Sequence, residues 1–332
     1  MDNIEINDKP LEQALDEFIA TRVHPDIKQR TDSWGEFKVY TIGGSQVSVL
    51  ENTNPYETER DLINHKVGLD DKKSKSSTFE IAVNWGNVFE DTLRRYAERI
   101  YKCQIVADDA FILDTECAAM SYSPDGLAII TDPADGAKCI ALFEFKCPFS
   151  RKVGGKIPKY YRSQVLMGLN IIHVAEKGVY LEAAYRLCTG AQFDKSQAHI
   201  TLPKQSVVKS DMDECLHRGV FKVSNVIVAA DSRDLALLPA EDIVRLINDA
   251  ADGRVTFEPT DVIPDDGLYL CWKLLDYNIV YVDPVPGYLD VLRPKAHAII
   301  DAVKKYRSMD KLVAVQELDK KYGKVGFSDE NM

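Results

Sequence analysis

Missing from these 332 residues is any apolar run long enough to cross a bilayer, and the polar, acidic start MDNIEINDKP does not read as a signal peptide. There is no CxxC. The seven cysteines, at 103, 117, 139, 147, 188, 215 and 271, show no pairing pattern, which argues against structural zinc or an iron–sulfur cluster and for a reducing, intracellular compartment. Six histidines, at 24, 65, 173, 199, 217 and 297, lack ligand spacing, so core or surface roles are expected of them. No internal repeat and no low-complexity linker is found. Positive charge is also short: the net charge of −11 looks wrong for a nucleic-acid-binding protein unless the charge is unevenly spread. What remains is ordinary for a globular chain, 45% hydrophobic and 28% charged, long enough for two domains or one elaborated one with a large core.

The spread is indeed uneven. From Phe145 to Ala175 there are six bases (Lys146, Arg151, Lys152, Lys156, Lys159 and Arg162) and no acid, whereas Lys209 to Asp266 holds thirteen acids against six bases. The basic stretch abuts the most informative segment, SYSPDGLAII through ALFEFKCPFS. Its middle reads as a hairpin, Leu127 to Thr131, a turn DPADGA rich in breakers, then Lys138 to Lys146. If Thr131 faces Lys138, counting outward sets Asp125 opposite Glu144. Glu144 and Lys146 are two apart on a strand, so both side chains leave one face. Paired carboxylates repel unless a divalent cation lies between them, and hard oxygen ligands favour Mg2+ or Mn2+. Taken alone, Asp-Gly is a common turn and Glu-x-Lys a common ion-paired strand face, so the surrounding residues carry weight.

Leu11 to Ala20 has helical spacing and is expected to be a packing helix. Gly43 and Gly44 before Ser45 would let backbone and hydroxyl approach an anion closely, with Lys38 supplying charge; the competing role for Ser45 is a helix N-cap. From Asn84 to Tyr101 the apolar positions trace one side of a long amphipathic helix with Glu90 at the border of that face. After Pro148 a loop leads into a helix near Lys159 that places Gln164 on an apolar face, where it needs a structural hydrogen bond or a ligand. Further on, Val179 to Leu187 reads as a strand and Glu241 to Ala251 as a helix. Leu268 to Val282 reads as a hairpin, Tyr288 to Tyr306 as a helical segment interrupted or begun by Pro294, and Met309 to Tyr322 as another helix.

An Asp followed by Glu-x-Lys on the next strand is the core motif of the PD-(D/E)XK nucleases. In order along the chain stand Trp34 eleven residues before Ser45, NPY at 54 to 56, Gly86-x-x-x-Glu90, SPDGL at 123 to 127, EFKCPFS at 144 to 150 and YYRSQ at 160 to 164. With these motifs the chain resembles the phage lambda exonuclease and YqaJ-type viral recombinase family, from about Trp34 to Leu187. The expected fold is α/β, a restriction-endonuclease-like mixed central sheet flanked by helices. A helical region over 1–33 would precede a nuclease domain over 34–332 that carries an acidic insertion at about 190–266.

The resemblance implies that Asp125, Glu144 and the carbonyl of Phe145 are metal ligands, with Glu90 holding a second metal ion directly or through water. It implies that Lys146 orients or deprotonates the attacking water. Ser45, Ser123 and Gln164 match positions that hold the terminal 5′-phosphate, and Lys38 stands where the lambda enzyme has an arginine, keeping the charge but losing the bidentate fork. Arg151, Lys152, Lys156, Lys159 and Arg162 are expected to contact DNA. The implied activity is Mg2+-dependent 5′-to-3′ exonuclease digestion of linear duplex DNA in recombination or replication-end processing, of viral or phage origin. A ring-shaped homotrimer and a single-strand annealing protein as partner come with it, and no membrane. The alternatives are an endonuclease or RNA-degrading relative on the same fold, and a catalytically silent DNA-binding or scaffold protein.

Overall fold

The computed structural model describes residues 9–69, 77–195, 197–198, 214–226 and 233–323. Its longer helices are α1 (Lys9–Arg22), α2 (Asp32–Val39), α3 (Glu59–Val67), α4 (Ser77–Tyr101), α5 (Lys159–Ile171), α6 (Ala240–Ala251), α7 (Arg293–Arg307) and α8 (Lys311–Tyr322). Several have the chemistry of their ends written locally. The Thr58 hydroxyl and the Asp61 carboxylate close a capping box at the start of α3, and Gly68, left-handed at φ 78°, ends it. Asp310 caps α8, and Pro294 sits in the first turn of α7, so that this helix is begun, not interrupted, by the proline.

Among the described residues the central sheet has six strands: β1 (Gly126–Thr131), β2 (Lys138–Lys146), β3 (Lys177–Cys188), β4 (His217–Ser224), β5 (Thr256–Thr260) and β6 (Leu268–Val282). Their spatial order is β1-β2-β3-β6-β4-β5, with β2 and β3 parallel and every other neighbouring pair antiparallel. The expected α/β class with a mixed sheet between helices is therefore observed. The hairpin has the expected register, Thr131 opposite Lys138 and Gly126 opposite Phe143. One expectation is overturned: Leu268–Val282 is a single 15-residue strand, not a hairpin. It pairs with β3 from Cys271 to Val282 and with β4 from Leu268 to Leu274, and only an irregularity between Leu274 and Asp276 interrupts it.

Alternate residues of β1, β2 and β3 enter two separate cores. On one face Leu127, Ile140, Leu142 and Tyr180 join Leu15 and Phe18 of α1 and the buried residues of α3, α5, α7 and α8. On the other, Ala141, Phe143, Phe145, Leu181 and Tyr185 meet Trp85, Phe89 and Leu93 of α4 and Leu246 and Ile247 of α6. The acidic 190–266 stretch falls partly outside the described residues. Its described part supplies β4, β5 and α6, at the edge of the sheet remote from β1.

Candidate active site

The first core draws the site together by close approach. At Gly168 of α5 a Cβ would stand 2.5 Å from Leu142 and 2.6 Å from Tyr122, so only glycine lets this helix lie so near β2 and bring Gln164, one turn earlier, to the strand's end. Gly44 is equally constrained, because a Cβ there would meet Tyr122 at 2.6 Å and Gln164 at 3.1 Å. Residues 44–46 form one 3-10 turn whose N-cap is Gly43. Ser45 is thus inside the turn and not its cap.

Lys38, Ser45, Glu90, Ser123, Asp125, Glu144, Lys146 and Gln164 all line one cleft of about 360 Å³. Phe145 borders an adjoining cavity of about 250 Å³, which shares Glu90 and Asp125 with the first. Asp125 immediately precedes β1, and its carboxylate accepts the Phe145 backbone N–H at 2.6 Å. Glu144 is fully buried; it accepts the Tyr122 hydroxyl at 3.0 Å and pairs with the Lys146 ammonium, which also donates to the Phe145 carbonyl at 3.0 Å. Glu90, on α4, is bound by Arg30 at 2.9 Å.

Burial, and next the charge of Asp125, push Glu90 and Glu144 each up to about 7. Burial likewise raises Asp125, against the pull of Lys146. Lys146 is held above its ordinary value: burial opposes its charge, but Glu144 and Asp125 outweigh that. Among the described residues no three His, Cys, Asp or Glu side chains are drawn together as a preformed metal cage. The donor chemistry nonetheless fits a hard divalent cation. Three carboxylates and a carbonyl border connected cavities, and burial keeps the carboxylates from ionising together without added positive charge.

Also lining the cleft, the Trp34 indole N–H donates to Ser123 Oγ at 3.1 Å, and Lys38 Nζ stands 4.0 Å from the Trp34 ring centroid. Burial lowers Lys38 from its ordinary value. Lys66, itself buried, donates to the carbonyls of Lys38 at 2.6 Å and Thr41 at 2.8 Å and so ties down the segment that leads into the glycine pair. Burial, then the charge of Lys38, push Lys66 down to about 7.

The basic stretch is less uniform in space than along the chain. Lys152, Lys156, Lys159 and Arg162 are exposed. Arg151 instead pairs with the fully buried Glu182 of β3, which also accepts the Tyr180 hydroxyl at 2.9 Å and the Gly154 N–H at 3.1 Å. Asn278 of β6 adds a bond to the Gly155 carbonyl at 3.4 Å. The loop after β2 is therefore tied to the sheet by a carboxylate that sequence reasoning passed over, as it passed over Arg30, Lys66 and Tyr122. For Glu182 a signal existed: an acid flanked by apolar residues in a strand, GVYLEAAY, is unusual where both faces are covered. Arg30 and Lys66 gave none.

Residues 33–177 match the YqaJ-like viral recombinase domain, so the resemblance carried by the motifs holds over that span. Among curated proteins the chain is similar to protein D345L of African swine fever virus. It is 27% identical to the Badajoz strain's protein over 180 residues, 48% of this chain and 51% of that one. A Malawi tick isolate's protein is 26% identical over 181 residues, 49% and 51% of the two chains. The chain thus spans about half the length of the curated relatives it matches. Among solved structures it is similar to LHK-Exo, an alkaline exonuclease from Laribacter hongkongensis. The structure in complex with dAMP is 12% identical with a TM-score of 0.42, covering 89% of this chain and 100% of that one. A second LHK-Exo structure gives 12% and 0.40, covering 87% and 99%.

Proposed function

We propose that this protein is a metal-dependent deoxyribonuclease that digests linear duplex DNA from a 5′ end, in recombination or in processing of replication ends. The observation that carries this reading is the cleft into which five separate stretches send eight residues of complementary chemistry, three acids, two ammonium groups, two hydroxyls and an amide. The YqaJ-like match over 33–177 supports it.

In this reading Glu90, Asp125, Glu144 and the Phe145 carbonyl hold Mg2+ or Mn2+. When bound, the cation offsets charge on the phosphoryl oxygens and acidifies water. The Lys146 ammonium, already beside Glu144, orients the attacking water and stabilises the extra negative charge of the pentacovalent phosphate. In-line attack breaks the P–O3′ bond, so the shortened strand keeps a 5′-phosphate. Ser45, Ser123, Gln164 and Lys38 take that terminal phosphate. It carries more charge than an internal diester, so donors positioned there favour an end over the middle of a strand. Lys152, Lys156, Lys159 and Arg162 contact the backbone, and Arg151 acts on it through the loop it braces.

The test is digestion of one linear duplex, labelled at either end and carrying a 5′-phosphate or a 5′-hydroxyl, with and without Mg2+ or Mn2+. Faster loss of the 5′-phosphorylated strand, narrowed by Ser45→Ala or Gln164→Ala, is expected. Equal rates on both ends would favour an end-indifferent endonuclease, and no cleavage with any metal a binding or scaffold protein. Sedimentation of the full chain tests the trimer that the resemblance implies.

A further inference from the structure

The NPY turn at 54–56 plays no part in the cleft just described, yet it is built to hold an aromatic ring in water. Asn54 Oδ1 accepts the N–H of Tyr56 at 2.8 Å and of Glu57 at 3.0 Å, and Pro55 between them fixes its own φ. Tyr56 is nevertheless 78% exposed. A tyrosine kept for packing would be covered, whereas this one stands on a hydrogen-bonded turn and is left uncovered.

Its ring neighbour continues inward. Tyr56 meets Tyr160 edge-on at 5.7 Å, Tyr160 lies 4.3 Å from Tyr161, and the Tyr161 ring is 5.2 Å from Lys146 Nζ. A file of three rings thus runs from the surface to the candidate catalytic ammonium. Tyr160 is also one turn before Gln164 on α5, and Gln164 lines the cleft. Exposed cations, Lys159 and Arg162, flank Tyr160 on the same helix, so the platform lies beside charge that suits a polyanion.

We propose that Tyr56, backed by Tyr160, is a stacking platform for an unpaired nucleobase of the strand entering the cleft. The inference rests on the nuclease reading and deepens it. In this proposal one strand enters the cleft of about 360 Å³ without its complement, so the duplex end opens before that strand reaches Lys146. Opening forfeits base stacking, and an exposed aromatic at the outer end of the ring file that leads to Lys146 restores part of it for any base, since every base offers a π-face.

The experiment uses the full chain carrying Glu144→Gln to stop cleavage, and a forked duplex with 2-aminopurine in its unpaired 5′ arm. Binding should change the 2-aminopurine emission. Adding Tyr56→Ala should abolish that change and weaken fork binding roughly tenfold, while leaving the salt dependence intact because the ring neutralises no phosphate. Tyr56→Phe and Tyr56→Trp should behave as the parent. An unchanged Tyr56→Ala variant, or a Tyr56→Phe variant as weak as Tyr56→Ala, overturns the proposal. So does a Tyr56→Ala variant that alters only the oligomeric state, which would make the ring a contact between copies. These outcomes leave the nuclease reading standing if the unmutated chain still cuts DNA; failure of that chain to bind or cut DNA sinks both.

Discussion

Neighbouring residues of β2 face opposite sides of the sheet and carry opposite burdens. Ile140, Leu142 and Glu144 point to one layer, Cys139, Ala141, Phe143 and Phe145 to the other. On the first side the apolar pattern gives way at the strand's end to Glu144 and Lys146, and on adjacent β3 to Tyr180 and Glu182. On the second the rings are continuous, with Phe89 stacked on Tyr185 at 4.6 Å and Phe143 meeting Tyr101 at 5.5 Å. Buried charge costs stability unless paired. A strand that places charge on one face can offset that cost by dispersion and burial on the other. Function and stability should therefore separate along this single strand, residue by residue.

The largest effect should come from the charged face. Asp125→Asn or Glu144→Gln should lower the rate of DNA cleavage by about a hundredfold or more, and Glu144→Gln should also lower the thermal midpoint because it leaves the Lys146 ammonium without its partner. Lys146→Ala should do likewise to the rate while DNA binding persists, measured by anisotropy. Undiminished cleavage by these variants would break the assignment. Next comes the neighbour on the other face. Phe143→Ala should cost about 3–5 kcal/mol in denaturant unfolding and leave the activity of the folded fraction near that of the parent.

A smaller loss is expected at Glu182. Glu182→Ala strands Arg151 and frees the Gly154 N–H, which should cost about 1–3 kcal/mol, since Arg151 still reaches solvent. DNA binding should weaken with it as the loop loosens, and Arg151→Leu in the same chain should restore part of the stability but not the binding.

The charged face should also make stability depend on pH and metal. Glu90 and Glu144 have folded values of about 7, above the ordinary carboxylate range, so the fold favours their neutral forms. Their contribution is complete below the unfolded carboxylate value and is lost as pH rises through about 7. Metal-free protein should therefore melt lower at about pH 8 than at about pH 5.5, and Mg2+ or Mn2+ should raise the midpoint mainly at the higher pH. A metal effect equal at both values would count against these carboxylates as its ligands. The smallest effect is at the surface: replacing Lys152 and Lys156 together should reduce the slope of log affinity against log salt by roughly 0.9 for each phosphate no longer neutralised.

The hairpin register was legible without the structure because alternation with period two and a turn full of breakers are both local, and two strands joined by a short turn have few ways to pair. The same locality exposed the amphipathic helices over 84–101 and 159–171 and, through them, Glu90 and Gln164. What sequence alone could not decide were pairings between distant segments. Arg30 reaches Glu90 across 60 residues, Arg151 reaches Glu182 across 31, and Lys66 braces carbonyls 25 and 28 residues away. Each depends on how whole elements dock, not on any pattern within them. The misread strand shows the same limit from the other side. Asp276, Tyr277 and Asn278 look like a turn in isolation, but β3 and β4 flank Leu268–Val282 and hydrogen-bond along it. Folding it into a hairpin would strip β3 of its partner, and a buried strand edge without partners is costlier than one irregularity.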